Sequence, residues 1–227
     1  MSDIPYLEFG ILMVVGLIAL GLAIYIFTRY QQTTAIKIFG LLALSDAGWI
    51  LFNGLGLIMD RGGQTMPFFF RMTYVFSSFL FALLFLFTLH YPYKRFEINW
   101  RFNILLFSVP TLISGLVLFS DGIIMGFDQA RLPQSLEGSI YWVFALYVIL
   151  LFVWILIELI NKIRSEQGMY KWHLNMFFWG ILLSGIIGIL FNLVIPLIID
   201  VSVPNWIGPS ASIIWLGLMV CVIRRRV

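Results

Sequence analysis

The sequence predicts an all-α integral membrane protein whose fold is a seven-transmembrane helical bundle. Of its 227 residues, 61% are hydrophobic and only 11% are charged, whereas a soluble globular domain carries about 25% charged residues. The mean hydropathy is +1.00 over the whole chain. The apolar residues fall into seven runs, and a run of about 20 is enough to cross a bilayer as a helix.

The first three predicted helices are long apolar runs ended by polar or turn-forming residues. They are Leu7–Tyr30, Ile36–Met59 and Pro67–Tyr91. The breaks between them read RYQQTTAIK and DRGGQ, and YPYKRFEINWR follows the third. Such stretches are typical of loops, because charged residues and turn formers interrupt an apolar helix.

The remaining four predicted helices are Phe102–Phe119, Gly138–Lys162, Trp172–Ile199 and Ile207–Ile223. The first and last of these have 18 and 17 residues, which is still within the range of membrane-spanning helices. The connection 120–138 is the one long loop. It is either a lid or part of a binding surface, or a passive surface loop. The whole chain, 1–227, is predicted to be a single domain.

The basic residues predict an N-terminus outside the cell and a cytoplasmic C-terminus. With this orientation, the inner side holds 11 of the 14 Lys and Arg residues, as the positive-inside rule requires. The inner set is Arg29, Lys37, Lys94, Arg95, Arg101, Lys162, Arg164, Lys171, Arg224, Arg225 and Arg226, and the outer set is Arg61, Arg71 and Arg131. Because the charge follows membrane topology, the net charge of +3 does not indicate a nucleic-acid partner.

Asp46, near the middle of the second helix, is the polar residue that most needs an explanation. An ionisable side chain at membrane depth is costly, so it must be protonated, paired or in contact with a wet cavity. Trp49 and Asn53 follow at +3 and +7, on the same helical face. Two interpretations stay open: a functional or switch-like role, and a satisfied interhelical hydrogen bond.

A candidate ligand site is predicted in the outer half of the bundle. Asn53, Arg71, Tyr74 and Asn192 lie in the outer halves of their helices, and with two tryptophans, Trp142 and Trp206, they are candidates to line a pocket. Arg71 has the alternative of reaching lipid headgroups. The hypothetical ligand-binding set is Asp46, Trp49, Asn53, Arg71, Tyr74 and Asn192.

Two further patterns have structural interpretations. Small or polar residues recur every four positions along the sixth helix, which is typical of a helix-packing surface; they are Gly180, Ser184, Gly188 and Asn192. Glu158 lies near the inner boundary, where it either reaches the headgroups or pairs with Lys162 at i+4.

No catalytic constellation is recognisable. A retinal protein needs a lysine within the last helix, and Ile207–Ile223 has none. His90 and His173 lie at the inner ends of their helices, where interfacial histidines are a simpler interpretation than haem ligands. No phosphate-binding glycine loop or metal cluster is present in the sequence. We therefore expect no enzyme activity, no cofactor and no metal.

Several segments together carry a family resemblance. The third helix closes in LFTLHYPYKR, the long loop leads into GSIYWVFALYVILL, and the sixth helix has an Asn followed by an apolar stretch and Pro. The chain closes in GPSASIIWLGLMVCVIRRRV. In this order and spacing, residues 7–226 resemble the seven-transmembrane N-terminal sensor region of bacterial and archaeal histidine kinases.

The resemblance implies a signal-input module. It would detect a small molecule, peptide or lipid outside or within the membrane, and pass a change in helix packing to a cytoplasmic histidine kinase or other output domain. Arg224, Arg225 and Arg226 would mark the output end. A homodimer is a further expectation, because the kinases of this family work as dimers. The chain is then either an excised sensor module or a stand-alone protein that signals through a partner.

A different class of function remains as the alternative. A small proton- or cation-coupled transporter or channel would use Asp46 as its coupling site. Many transporters are built from internal repeats, and no such repeat is evident in this sequence.

Overall fold

A computed structural model describes residues 4–29, 33–58, 65–92, 99–119, 139–195 and 206–224. In these segments the regular secondary structure consists of helices, and the predicted all-α fold of seven helices is confirmed. The helices are α1 (Ile4–Arg29), α2 (Thr34–Ile58), α3 (Thr65–His90), α4 (Trp100–Phe119), α5 (Ser139–Ser165), α6 (Gly168–Ile189) and α7 (Ile207–Arg224).

The first six helices are long and apolar enough to cross a membrane. The apolar part of α7 within the described side chains is shorter, Ile207–Leu218. The whole of α7 has 18 residues, which corresponds to about 27 Å of helix. We call the end of the bundle where α1, α3, α5 and α7 begin the N-terminal face, and the opposite end the C-terminal face.

Six of the helices form a ring, and α4 lies outside it. Going round the ring, α1 packs against α2, α2 against α3, α3 against α5, α5 against α6, and α6 against α7, which closes the ring by packing against α1 and α2. Helix α4 packs against the outside of α3 and α5. Its far side is accordingly exposed at Ile104, Leu105 and Leu112.

Aromatic side chains from four helices meet in the centre of the ring. The Phe39 ring on α2 lies 5.6 Å from that of Phe87 on α3 and 6.1 Å from that of Trp215 on α7. Phe87 in turn meets the ring of Phe177 on α6, edge to face, at 5.4 Å. Because lipid tails are as apolar as a protein core, such close packing replaces the hydrophobic effect as the force that joins helices.

The stripe of small residues predicted on α6 packs at only one of its glycines. A Cβ on Gly180 would lie 3.2 Å from the backbone Cα of Trp215, so α6 and α7 are in very close contact there. A Cβ on Gly188 would meet no described atom within 4 Å. Gly185, which is off the stripe, lies directly against the Phe152 ring of α5.

Helix α6 differs from its predicted extent at both ends. It begins at Gly168, which has a positive φ of 63°, rather than at Trp172. Its α-helical part ends at Ile189 and continues as a single π turn over Leu190–Val194. The apolar pattern shows which part of a helix lies in lipid. It does not show how far polar residues extend the helix beyond the lipid, or where the backbone hydrogen bonds change from i→i+4 to i→i+5. The predicted residues 196–199 lie outside the described segments.

Candidate functional site

Asp46 connects α2 to α7. It lies twelve residues from each end of α2 and is completely buried. Its Oδ2 atom is 2.9 Å from the Ser212 hydroxyl on α7, and the same hydroxyl is 2.8 Å from the carbonyl oxygen of Pro209. Asp46 Oδ1 has no hydrogen-bond partner among the described residues. The interhelical hydrogen bond that was one of two predicted interpretations is therefore present, at one of the two carboxyl oxygens.

The residues around Asp46 on α2 hold the neighbouring helices. Ser45 donates a hydrogen bond of 2.8 Å to the Phe76 carbonyl on α3. Trp49 is partly buried and packs against the main core, and Asn53 is buried. The polar stretch of α2 thus faces α3 on one side and α7 on the other.

Asn192 lies within the π turn at the end of α6, directly against the first turn of α7. A Cβ added to Gly208 would fall onto the Asn192 side-chain amide, so a larger residue at that position would force this amide to move. Gly208 precedes Ser212 by four residues, which places both on one face of α7. The Tyr141 hydroxyl on α5 donates a long hydrogen bond of 3.5 Å to the Asn192 carbonyl. π turns are often found at functional sites.

Arg71 and Tyr74 lie where α3 meets α4 and α5. Arg71 Nη1 donates a 3.1 Å hydrogen bond to the Leu118 carbonyl in the last turn of α4. Carbonyl groups in a last turn lack partners within the helix and carry partial negative charge, so a guanidinium is stabilised there. Arg71 therefore reaches into the protein rather than only towards lipid headgroups. The Tyr74 ring packs edge to face against Phe144 of α5 at 5.1 Å.

Four of the six predicted residues occupy two neighbouring regions of the bundle. Asp46 and Asn192 lie against the first turns of α7, while Arg71 and Tyr74 lie at the α3–α4–α5 junction. Tyr141 lies between these regions, because its hydroxyl reaches Asn192 and its ring belongs to the same buried cluster that Tyr74 packs against. Trp142, expected at the pocket, is instead 56% exposed.

Lys162 is an important residue whose interactions the sequence did not reveal. It is completely buried near the C-terminal face, although its sequence position suggested a loop boundary. Its ammonium group donates hydrogen bonds to the carbonyls of Thr88, Leu89 (3.2 Å) and Tyr91 (2.8 Å) at the end of α3. The one signal in the sequence was Pro92. A proline just after a helix shows that the helix ends there, and the last carbonyls of a helix need donors from elsewhere. Nothing in the sequence pairs those carbonyls with α5.

The two histidines lie on different helices, His90 on α3 and His173 on α6. His90 Nδ1 donates to the Leu86 carbonyl at 2.9 Å, within its own helix. His173 is buried beside the Trp172 ring, at 5.3 Å. In the described segments, no three His, Cys, Asp or Glu side chains are close enough together to hold a metal ion.

Apolar helices joined by buried polar contacts define a multi-pass membrane protein built as one seven-helix bundle. The chain belongs to the family described as the N-terminal 7TM region of histidine kinase, whose model matches residues 11–226. The resemblance found in the sequence is therefore confirmed. In this family the 7TM region is the sensory input part and is not itself catalytic. Among curated proteins and among solved structures, no match to the chain is found.

Proposed function

We propose that this chain detects an extracellular or membrane-borne stimulus and transmits it, as a change in helix packing, to a cytoplasmic output domain such as a histidine kinase. Family membership supports the input role. The transmission step is supported by the hydrogen bond between Asp46 and Ser212. It joins an early helix to the last one, so a stimulus that displaces α2 also changes the position of α7.

We propose the N-terminal face as the sensing end, facing the outside. The ligand site comprises the six residues already named, with Tyr141 added as the side chain that connects Asn192 to the α3–α5 cluster. A ligand acts only if it binds one packing of the helices more tightly than the other. Ligand contacts near Asn192 are well placed for this, because the π turn touches α7 at Gly208.

We propose the C-terminal end of α7 as the output end. Arg224 ends α7, and Arg225 and Arg226 lie outside the described segments. Their positive charges would hold this end at the cytoplasmic surface of the bilayer. The chain would act as one domain in the membrane, as a homodimer with its kinase partner.

The test joins the complete chain to the catalytic region of a histidine kinase and measures autophosphorylation in membranes. Ser212→Ala removes the hydroxyl that contacts Asp46, and we expect basal phosphorylation to change severalfold. Ser210→Ala is the matched control, since it deletes a hydroxyl on the same helix that has no hydrogen-bond partner in the described structure. Equal phosphorylation in all three proteins would contradict transmission through this contact.

The transporter alternative predicts a different result with the same protein. If Asp46 coupled the movement of protons or cations, proteoliposomes would show a flux that disappears in Asp46→Asn. We expect no such flux. A flux that depends on Asp46 would overturn the sensor proposal.

A further inference from the structure

The contact between Asp46 and Ser212 contains fewer donors than acceptors if the carboxyl group is ionised. A serine hydroxyl has one proton, and a carboxylate has only acceptors. The Ser212 hydroxyl lies within hydrogen-bond distance of two acceptors, Asp46 Oδ2 at 2.9 Å and the Pro209 carbonyl at 2.8 Å. With an ionised Asp46, one proton would have to serve both. A proton on Asp46 supplies the second donor and satisfies both short contacts.

The burial of Asp46 also favours a protonated carboxyl group. The side chain is 0% exposed, and its Oδ1 atom accepts no hydrogen bond from the described residues. A buried charge is very costly unless it is paired and fully hydrogen-bonded, whereas a neutral carboxyl group with one free carbonyl oxygen costs far less.

The helices packed against α2 bring no cation to Asp46 in the described segments. Helix α1 has Glu8 and Arg29 near its two ends. At about 1.5 Å of rise per residue, both lie more than about 10 Å along the axis from the middle of the helix. On α3, the guanidinium of Arg71 reaches α4, the Tyr74 ring packs against α5, and His90 bonds its own helix. The described side chains of α7 include no titratable group, and Lys37 is the only other charged residue of α2.

We infer that Asp46 is a proton-binding site, a neutral carboxylic acid whose Oδ2–H donates to Ser212 while the Ser212 hydroxyl donates to Pro209. The result is a relay from the middle of α2 to the backbone of the first turn of α7. If the proton leaves, the Ser212 hydroxyl must turn to the carboxylate and release the Pro209 carbonyl. The packing of this turn of α7 therefore depends on whether Asp46 holds its proton.

This inference is independent of the proposed signalling role, because it concerns the chemical state of one side chain. Infrared spectroscopy reads that state directly. A protonated carboxyl group has a C=O stretching band that a carboxylate lacks, and the band shifts when the proton is exchanged for deuterium. The sample is the complete chain in lipid nanodiscs at neutral pH, in H2O and in D2O.

We expect the wild type to show the acid band and Asp46→Asn to lose it. Asparagine keeps a donor for Ser212 at the same position, so this variant is expected to fold, which circular dichroism checks. Glu158→Gln is the matched control, because it removes another buried acid and should leave the band in place. Ser212→Ala, which keeps Asp46, should shift the band to higher wavenumber because the hydrogen bond from the acid is lost.

Three results with the wild type and the two acid variants would overturn the inference. They are a wild-type spectrum without an acid band, an acid band that disappears in Glu158→Gln instead, and loss of a carboxylate band in Asp46→Asn. The Ser212→Ala shift provides a second reading that does not depend on the folding of an Asp46 variant. An unshifted acid band in Ser212→Ala would equally contradict the relay.

Discussion

Two cations inside the bundle have the same structural role. Arg71 of α3 donates to the last turn of α4, and Lys162 of α5 donates to the end of α3. Helix C-termini present unpaired carbonyls with partial negative charge, so each cation gains hydrogen bonds and a favourable field where water is scarce. In the described segments, these two cations therefore join helices at their ends.

Replacing Lys162 with Met should destabilise the protein markedly. The change keeps most of the side-chain volume but leaves the carbonyls of Thr88, Leu89 and Tyr91 without this donor. Hydrogen bonds to charged groups contribute about 1.5–3 kcal/mol each, and we expect a loss of at least about 2 kcal/mol. SDS-induced unfolding of the chain in mixed micelles measures it. Lys171→Met, at an exposed position, is the control, and an equal effect of both changes would contradict the capping role.

Gly208→Ala should also destabilise the bundle, and Asn192 should be the reason. The added methyl group would collide with the Asn192 amide, and overpacking typically costs about 1–3 kcal/mol. In an Asn192→Ala background the collision is removed, so most of that cost should disappear. Unfolding of the four proteins of this double-mutant cycle gives the coupling. Purely additive effects would show that the two residues do not touch.

At the residue scale, the sequence predicts how deep a side chain lies in the membrane better than it predicts which residues that side chain contacts. The position of Asp46 in an apolar run was enough to mark it as a residue that needs a compensating interaction. Its partner Ser212 lies 166 positions away, on a helix whose orientation about its own axis no local pattern determines. The carbonyl partners of Lys162 were not predicted for the same reason, because the α3 carbonyls that it contacts are identified only by tertiary packing.

At the element scale, α6 and α7 pack closely against each other within the ring. Gly180 allows the two backbones to approach, and its hypothetical Cβ would lie 3.2 Å from the Trp215 Cα. Small residues commonly permit such contacts between membrane helices. The spacing on α6 predicted a packing surface, but only the structure distinguishes the glycine in contact from the open one.

Gly180→Ala should therefore weaken the pairing of α6 and α7, while Gly188→Ala should not. A Cβ on Gly180 would lie 2.9 Å from the Leu218 Cδ1 methyl group and 3.2 Å from the Trp215 Cα. The methyl group can turn away but the backbone atom cannot, so we expect a loss of about 1–3 kcal/mol. Gly188 has open space around it, so alanine there should change stability by less than about 1 kcal/mol. Unfolding in mixed micelles measures both changes, and a reversed order would contradict the packing described.

At the scale of the whole molecule, the number of helices could be predicted and their arrangement could not. Seven apolar runs follow from the requirement that backbone polar groups be satisfied within lipid. The position of α4 outside the ring depends on contacts between distant segments. Helices of similar hydropathy can lie inside or outside the ring, because lipid and protein interiors favour the same side chains.

The orientation of the bundle, with the N-terminus outside, is a prediction from charge that membrane-impermeant thiol reagents can test. Cys221 is the single cysteine, so Cys221→Ser gives a background without thiols. In it, Gln129→Cys in the long loop should be labelled in intact cells. Glu166→Cys, between α5 and α6, should be labelled only after the membrane is permeabilised. The opposite labelling pattern would reverse the proposed sensing and output faces.

The caps formed by Arg71 and Lys162 have a mechanical consequence for the bundle. They fasten α3 to α4 near one membrane surface and α3 to α5 near the other, so these three helices should resist sliding past each other and behave as a stiff body. Helix α7 meets α2 through a hydroxyl–carboxyl contact and meets α6 across a glycine. We therefore expect α7 to move more easily than α5, because a small rotation of α7 breaks fewer strong hydrogen bonds than a displacement of α5.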